Sequence, residues 1–462
     1  MEGRGLSSEP TLKVGKDRRL GNLATPESVQ RLQTAFHAKA KGEPEFRFYA
    51  LYDKIYRQDV LEHAYACCRA NKGAAGVDGL TFEAVEAYGR ERWIGELAQQ
   101  LREENYRPEA VRRVYIPKPN GKQRPLGIPR LADRVCQMAG MLILEPIFEA
   151  DMPSEQYAYR HNRSAQDAVR RVHWLLTGGH RHVVDADLAG YFDTIPHAEL
   201  MKSVARRIVD KRVLRLLRMW LDAPVEERDE RGRKKRTTIN RDSKRGIPQG
   251  SPISPLLSNL YMRRFILGWK RAGVEQRLGA QIVNYADDLV ICCKGNNAAK
   301  ALETMRKMMG QLKLTVNEEK TRTCHLPEEE FDFLGYTFGQ RYAAKTRRPY
   351  IATWPSRKSI RRMTEAVRIQ TGRNMEWMDG GEMVKCLNQK LGGWTNYFKL
   401  GPVTKAYRFL DRYTTTRLRR WLCKKHKQSS GGYKRYPDEF FHEQMGLLCL
   451  PKLPQSLPWA KT

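Results

Sequence analysis

Two adjacent carboxylates, Asp287 and Asp288, interrupt the apolar run Gln281-Ile282-Val283-Asn284-Tyr285-Ala286-Asp287-Asp288-Leu289-Val290-Ile291-Cys292-Cys293. β-Favouring residues lead in and out with a break at the centre, which predicts a tight β-hairpin carrying the acids. Neighbouring acids repel and lose hydration if their strands are buried, and a bound cation would offset both costs. Taken alone, the stretch fits an exposed Asp-Asp turn on a surface hairpin equally well.

A second stretch breaks that balance. His182-Val183-Val184-Asp185-Ala186-Asp187-Leu188-Ala189-Gly190-Tyr191-Phe192-Asp193 also carries acids where the apolar pattern predicts a buried strand. Strict alternation puts Val183, Asp185 and Asp187 on one face. Asp185 reads as a structural hydrogen-bonding acid, and Asp193 as a turn or helix cap ahead of Ile195-Pro196. Asp187 precedes Asp287 by 100 residues, enough for helices that return the chain to the same sheet. Three carboxylates at one spot would bind two hard divalent cations, and oxygen ligands favour Mg²⁺ or Mn²⁺. Two such ions ~3.5–4 Å apart suit in-line displacement at phosphorus.

The elements around these acids follow from pattern and punctuation. Arg113 to Pro129 predicts a basic β-hairpin with strands VYI and PLGI, turned at Pro119-Asn120-Gly121. Lys118, Lys122 and Arg124 stud it, so it could close over a polyphosphate; on its own it reads as well as an exposed basic hairpin. Helices are expected at Pro26–Lys41, Leu131–Phe148, Ala165–Leu176, twice between His197 and Asp222, and at Leu256–Trp269. Ala298, Leu302, Met305, Met309 and Leu312 mark one further helix by its buried stripe. Asn71 to Gly79 is glycine-rich without Walker spacing, so a turn between helices is favoured over a phosphate cradle. Glu226 to Arg245 reads as a charged surface loop. Lys313–Val316 and Phe331–Phe338 are expected to be two more strands.

The chain has 462 residues and a formal charge of +31. So one-sided a balance points to a polyanion, most plausibly nucleic acid. Between Arg341 and Tyr436 there are 24 Lys/Arg and 5 Asp/Glu, so a basic C-terminal third follows a more balanced body. Nine scattered cysteines form no CxxC pair, which indicates neither a zinc site nor a disulfide framework and fits a reducing compartment. The longest apolar stretch, Met138 to Phe148, is too short for a membrane span. A cytoplasmic protein is expected, with no membrane partner, associated with the nucleoid when acting on DNA. Carboxylates, basic flap and charge together read as an enzyme that joins or cuts nucleotides.

Those stretches, with Pro248-Gln249-Gly250-Ser251-Pro252, occur in an order that resembles the reverse transcriptases, and more narrowly the group II intron-encoded reverse transcriptase/maturases. Asn71 to Gly79 is similar to that subfamily's extra N-terminal block, and Gly393-Trp394-Thr395-Asn396-Tyr397-Phe398 to its maturase signature. The resemblance covers roughly residues 46 to 425.

It implies an α+β right-hand polymerase, with fingers and an antiparallel palm sheet followed by an α-helical thumb. The expected divisions are a flexible leader at 1–45, N-terminal extension and fingers at 46–180, palm at 181–340, thumb/maturase domain at 341–425 and a short basic tail at 426–462. By resemblance, Asp187, Asp287 and Asp288 hold two Mg²⁺ with the Leu188 carbonyl as a further ligand. Lys118 and Arg124 contact the incoming triphosphate, and Lys320 assists in handling it or a proton. Phe192 stands at the sugar gate that favours dNTPs, while Gln249 and Gly250 border the sugar and the template base. The implied partners are intron RNA bound collectively by the basic stretch 341–436, a target DNA or primer strand, and dNTPs.

Ala189 departs from the polar residue of many relatives, and no endonuclease pattern follows the basic helix, so an endonuclease-lacking form is expected. Trp394, Tyr397 and Phe398 read as thumb core more readily than as base-stacking platforms. Two other functions are weighed against the polymerase-maturase: a splicing factor with a dead polymerase, which the complete acids oppose, and a domesticated enzyme of defence or DNA repair, which the maturase signature opposes.

Overall fold

The structure, a computed structural model, describes residues 19–20, 23–117, 123–229, 233–343, 345–428 and 432–453. Mixed α/β throughout, it divides into two interleaved compact units. One comprises Met1–Ser154, Tyr159–His161 and Gly190–Phe265; the other comprises Glu155–Ala158, Asn162–Ala189 and Ile266–Thr462.

The second unit carries the acids. Its four-stranded sheet is antiparallel, in the order Arg322–His325, His182–Asp187, Asp288–Cys293, Ala280–Tyr285. Val, Ile and Cys side chains cover both faces of the central strands, as expected for β-branched and small apolar residues in a buried sheet. On one face Val183, Val283, Val290 and Cys292 pack with Val169, Val172 and Leu176 of the helix Ala165–Thr177. That helix starts where the sequence dictates: Ser164 accepts from the Asp167 N–H, and the Asp167 carboxylate accepts from the Ser164 N–H at 2.9 Å, a capping box. The helix Ala298–Gln311 also packs on the sheet, burying Ala298, Met305 and Met309 as expected and Ala301 besides. Leu302 and Leu312 are only half-buried.

Three expectations for this unit are corrected. Phe331–Phe338 is not one strand but a hairpin, with Phe331 opposite Phe338 and Phe333 opposite Tyr336. Its turn residues Leu334 (φ 50°) and Gly335 (φ 80°) are both left-handed, the backbone a tight hairpin requires. Lys313–Val316 contributes a single bridge, Leu188 to Val316, instead of a strand. Helical structure does not begin at 341: that residue lies in the strand Tyr336–Tyr342, which pairs with Pro349–Pro355. The basic charge of the stretch masks the β-favouring Tyr350-Ile351-Ala352-Thr353-Trp354. Helices begin at Arg357, capped by Ser356, and continue as Arg357–Gln370, Gly380–Tyr397 and Thr404–Lys425 around Val367, Leu387, Leu391, Leu410, Leu418 and Trp421.

In the first unit the basic hairpin forms as Val111–Pro117 and Gln123–Ile128. It is joined by Val225–Arg228, parallel to Val111–Pro117, and by Lys234–Thr237. The expected surface loop 226–245 is therefore largely a hairpin. It carries charge pairing that apolar alternation does not reveal: Glu226 is only 1% exposed, and Arg236 binds it at 2.8 Å. The helix Glu27–Gly42, expected inside a flexible leader, is packed. Gln33 donates to the Leu142 carbonyl at 2.9 Å, tying it to the helix Leu131–Glu149. The glycine-rich 71–79 segment is a close-approach turn, since a Cβ at Gly76 would lie 2.4 Å from the Arg130 Cα.

Candidate active site

The two acid-bearing strands lie side by side in one sheet. Asp187, the last residue of its strand, is the direct cross-strand partner of Asp288, the first residue of the adjoining strand. Asp288 also faces Tyr285 across the hairpin, which leaves only Ala286 and Asp287 in the loop. Ala286 adopts φ 57°, a left-handed backbone that costs an alanine roughly 1 kcal/mol. Asn284 braces the turn: its buried side-chain amide donates to the carbonyls of Ala286 at 2.9 Å and Asp288 at 3.2 Å. The outer strand is itself held at Asn284, whose N–H donates to the Glu155 carbonyl at 2.8 Å while its carbonyl accepts from the Tyr157 N–H at 3.0 Å.

Asp187 is fixed from the segment after the helix Ala298–Gln311. Asn317 donates from its side chain to Asp187 Oδ2 at 3.0 Å and from its backbone to the Asp187 carbonyl at 2.8 Å. Lys320 Nζ lies 2.8 Å from the same Oδ2, so the lysine expected to handle a triphosphate rests on the carboxylate. The Asp187 N–H donates to the Thr321 hydroxyl at 3.3 Å. Ala189 N–H to the Thr315 carbonyl and Asn317 N–H to the Asp187 carbonyl flank the pair Leu188–Val316. In an antiparallel ladder that makes Leu188 a non-hydrogen-bonded position, with its carbonyl directed away from Val316.

Burial first, then the charges of Asp287, Asp187 and Asp185, push the Asp288 carboxyl up to about 7, with Lys320 pulling the other way. Burial likewise lifts Asp185 to about 6, against the pull of Arg322, whose Nε lies 3.6 Å from Asp185 Oδ2. Asp185 is thus an ion-paired structural acid. Clustered oxygen donors, half-buried and mutually repelling, are the donor set that a hard divalent cation fits.

Tyr397, the last residue of the helix Gly380–Tyr397, packs against the core of this sheet. Its hydroxyl donates to the Leu334 carbonyl at 2.9 Å, and the charges of Tyr285 and Asp288 add to the burial that pushes it up to about 12. Trp394 and Phe398 lie tilted at 4.7 Å between centroids; Phe398 is buried in the cluster that includes the acid-bearing sheet, and Trp394 packs half-buried against both that cluster and the helical core.

The other expected residues lie in the first unit. Lys118 lies outside the described residues. Arg124 is exposed on the basic hairpin, opposite Ile116. Phe192 is half-buried in the one-turn helix Tyr191–Thr194, and its carbonyl accepts from the Ile247 N–H at 2.8 Å. Asp193 does not cap the next helix, which starts after Pro196; it accepts from Gln249 Nε2 at 3.4 Å. The Gln249 carbonyl takes the Gly127 N–H at 2.6 Å. Gly250 (φ 107°) has no room for a side chain, since a Cβ would lie 2.6 Å from the Gly127 carbonyl oxygen. Phe192, Gln249, Gly250 and the returning strand of the basic hairpin are thus one connected patch.

Not every cation of the 341–436 stretch is solvated. Arg419 is 3% exposed, donates to the Tyr436 carbonyl at 2.7 Å and pairs with Asp438. Arg417 binds the Thr371 hydroxyl at 3.0 Å. Both line a cavity of about 440 Å³ with Arg373, Arg420, Lys424 and Tyr433.

Residues 116–338, which take in both acid strands, match the family described as reverse transcriptase (RNA-dependent DNA polymerase). Residues 360–437, which span the three helices from Arg357 on, match the maturase-specific domain of group II introns. Protein YkfC of Escherichia coli is 34% identical over 373 residues, covering 72% of this chain and 93% of that protein. The group II intron-encoded protein LtrA of Lactococcus lactis is 28% identical over 65% of this chain, which spans 58% of LtrA. The putative COX1/OXI3 intron 1 protein of Saccharomyces cerevisiae is 27% identical over 60% of this chain and 38% of its own length. The chain belongs to the group II intron reverse transcriptase/maturase family, whose enzymatic class is RNA-directed DNA polymerase.

No helix among the described residues is long and apolar enough to cross a membrane.

Proposed function

We propose that this chain copies RNA into DNA by two-metal phosphoryl transfer and assists the splicing and mobility of a group II intron RNA. The observation that carries the chemistry is the direct opposition of Asp187 and Asp288 across one ladder, with Asp287 in the intervening turn. Asp187, Asp287, Asp288 and the Leu188 carbonyl would hold two Mg²⁺ ions, for which Mn²⁺ could substitute. Ions held there would supply activation of a primer hydroxyl and charge neutralisation at the leaving oxygen.

The chain's own residues do the positioning. Asn317 aims Asp187, and Asn284 holds the turn that presents Asp287 and Asp288. Lys320, with a side chain 59% exposed, balances the Asp187 charge and has the reach to turn toward a triphosphate. Lys118 and Arg124 act as the cations of a fingers hairpin, Phe192 leaves no room for a ribose 2′-OH, and Gln249 and Gly250 border the sugar and template base. On this reading the acid-bearing sheet is the palm of a right hand and the helices from Arg357 on are its thumb. The divisions at 46–180, 181–340, 341–425 and 426–462 serve as its working domains, with the thumb helices confined to the part of the third from Arg357 on. The basic stretch 341–436 grips intron RNA, and the partners are that RNA, a DNA primer or target strand, and dNTPs.

Asp287→Asn should abolish primer extension on an RNA template in Mg²⁺ while RNA binding and splicing persist. Undiminished DNA synthesis by that variant would sink the catalytic assignment.

A further inference from the structure

Away from the acid strands, Asp411, His442 and Cys449 bring a carboxylate oxygen, an imidazole nitrogen and a thiol sulfur within 4.8 Å of one another. They come from three separate elements. Asp411 lies on the helix Thr404–Lys425, His442 on the π-helix Phe440–Gln444, and Cys449 immediately before the 3₁₀ turn Leu450–Lys452.

The hydrogen bonds around them are those of a ligand set. His442 Nδ1 is 3.0 Å from the Leu447 carbonyl, which can only accept, so Nδ1 carries a proton there and Nε2 is the ring nitrogen turned to the cluster. That Nε2 faces Asp411 Oδ2 at 3.5 Å. Two electron-rich atoms at that separation repel unless a proton or a cation lies between them. Asp411 Oδ1 is already engaged by the Leu450 N–H at 3.0 Å, which fixes the carboxylate so that one oxygen faces the cluster. The His442 and Asp411 side chains are each only 16% exposed. An imidazolium–carboxylate ion pair would satisfy His442 and Asp411 but gives no reason for the thiol beside both.

We propose that Asp411, His442 and Cys449 bind one zinc ion, with a fourth position open to water. Mixed N, S and O donors of this kind select Zn²⁺ over the hard Mg²⁺ of the polymerase site. The backbone carbonyl on Nδ1 is the outer partner that zinc-bound histidines use. Binding releases the Cys449 thiol proton to solvent. The metal would pin the 440–452 segment to the helix Thr404–Lys425, closing a clip across the helical core that Phe441, Leu447 and Leu450 already enter. Its ligands are one cysteine, one histidine and one aspartate, with none of the paired spacing that marks zinc sites in sequence.

The test uses the full-length chain, stripped with chelator and titrated with Co²⁺, which reports thiolate ligation by a charge-transfer absorption band. One equivalent per chain should produce that band and the visible bands of a tetrahedral site, and Zn²⁺ should displace both. Cys449→Ser and His442→Gln should each lose the band, while Cys386→Ser and Cys423→Ser, which alter the other partly exposed thiols, should keep it. Zn²⁺ should raise the melting temperature of the parent and not of Cys449→Ser. A parent protein with no thiolate–cobalt band, or a band that survives Cys449→Ser, overturns the site whatever the variants do to stability.

Discussion

Asn317 holds Asp187 at two points, its side-chain amide on the carboxylate at 3.0 Å and its backbone N–H on the carbonyl at 2.8 Å. The segment that carries Asn317 bridges the strand at Leu188 along the edge opposite the one paired with Asp288. Asn317→Ala removes the side-chain bond and keeps the backbone one. Primer extension at limiting Mg²⁺ should fall about tenfold and recover partly as Mg²⁺ is raised, because a lost outer partner weakens metal affinity. A Mg²⁺ titration unchanged from the parent would show that the amide does not aim the carboxylate.

Asp288 sets a pH signature. Its folded value of about 7 lies above the ordinary 3.8, so the metal-free fold prefers the protonated acid. That preference is fully present below about 3.8 and is lost as pH rises through 7. Asp288→Asn should therefore melt higher than the parent in chelator at pH 8.5, by on the order of 5 °C, and lose most of that advantage by pH 5. Adding Mg²⁺ at pH 8.5 should raise the parent's melting temperature and not the variant's.

The hairpin loop is a second place where the chain is strained for position. Ala286 at φ 57° tolerates glycine but not a β-branched side chain. Ala286→Val should destabilise by about 2 kcal/mol in denaturant titration, and Ala286→Gly should stay within about 1 kcal/mol of the parent. Asn284→Leu keeps the volume but strips two bonds to turn carbonyls, and should cost about 2 kcal/mol.

Sugar selection tests the first unit. Phe192→Ala should raise rNTP incorporation relative to dNTP by about tenfold, with synthesis from dNTPs largely kept. Gly250→Ala places a methyl 2.6 Å from the Gly127 carbonyl at φ 107°, so it should impair both nucleotides together. Equal loss for both sugars in Phe192→Ala would put the gate elsewhere.

The acid site was legible because it breaks a strong rule. Carboxylates inside Val/Ile-rich strands stand out, and alternation assigns them a face without any knowledge of the fold. What supports them was not legible. Asn317 and Asn284 act through single amides whose partners are set by tertiary register, and Asn is as common in ordinary turns. The 226–245 hairpin was hidden because its cross-strand contacts are Glu–Arg pairs, which look like a solvated charge run. The turn at Leu334-Gly335 split an apparent strand because Leu334 takes a backbone conformation that leucine seldom adopts. Arg419 was lost in a basic field where only its burial distinguishes it.

The interleaved chain has a consequence for synthesis. The strand His182–Asp187 emerges first, yet all three strands of its sheet lie downstream, the nearest at Ala280 and its direct partner at Asp288. At ~5–20 residues per second, a nascent chain waits on the order of 5–20 s with an unpaired, apolar strand before its first neighbour appears. Most of the residues made in that interval, Gly190–Phe265, belong to the other unit. A ribosome pausing near residue 265 would therefore hold an exposed sheet edge, and slow codons there should raise aggregation more than slow codons after residue 325.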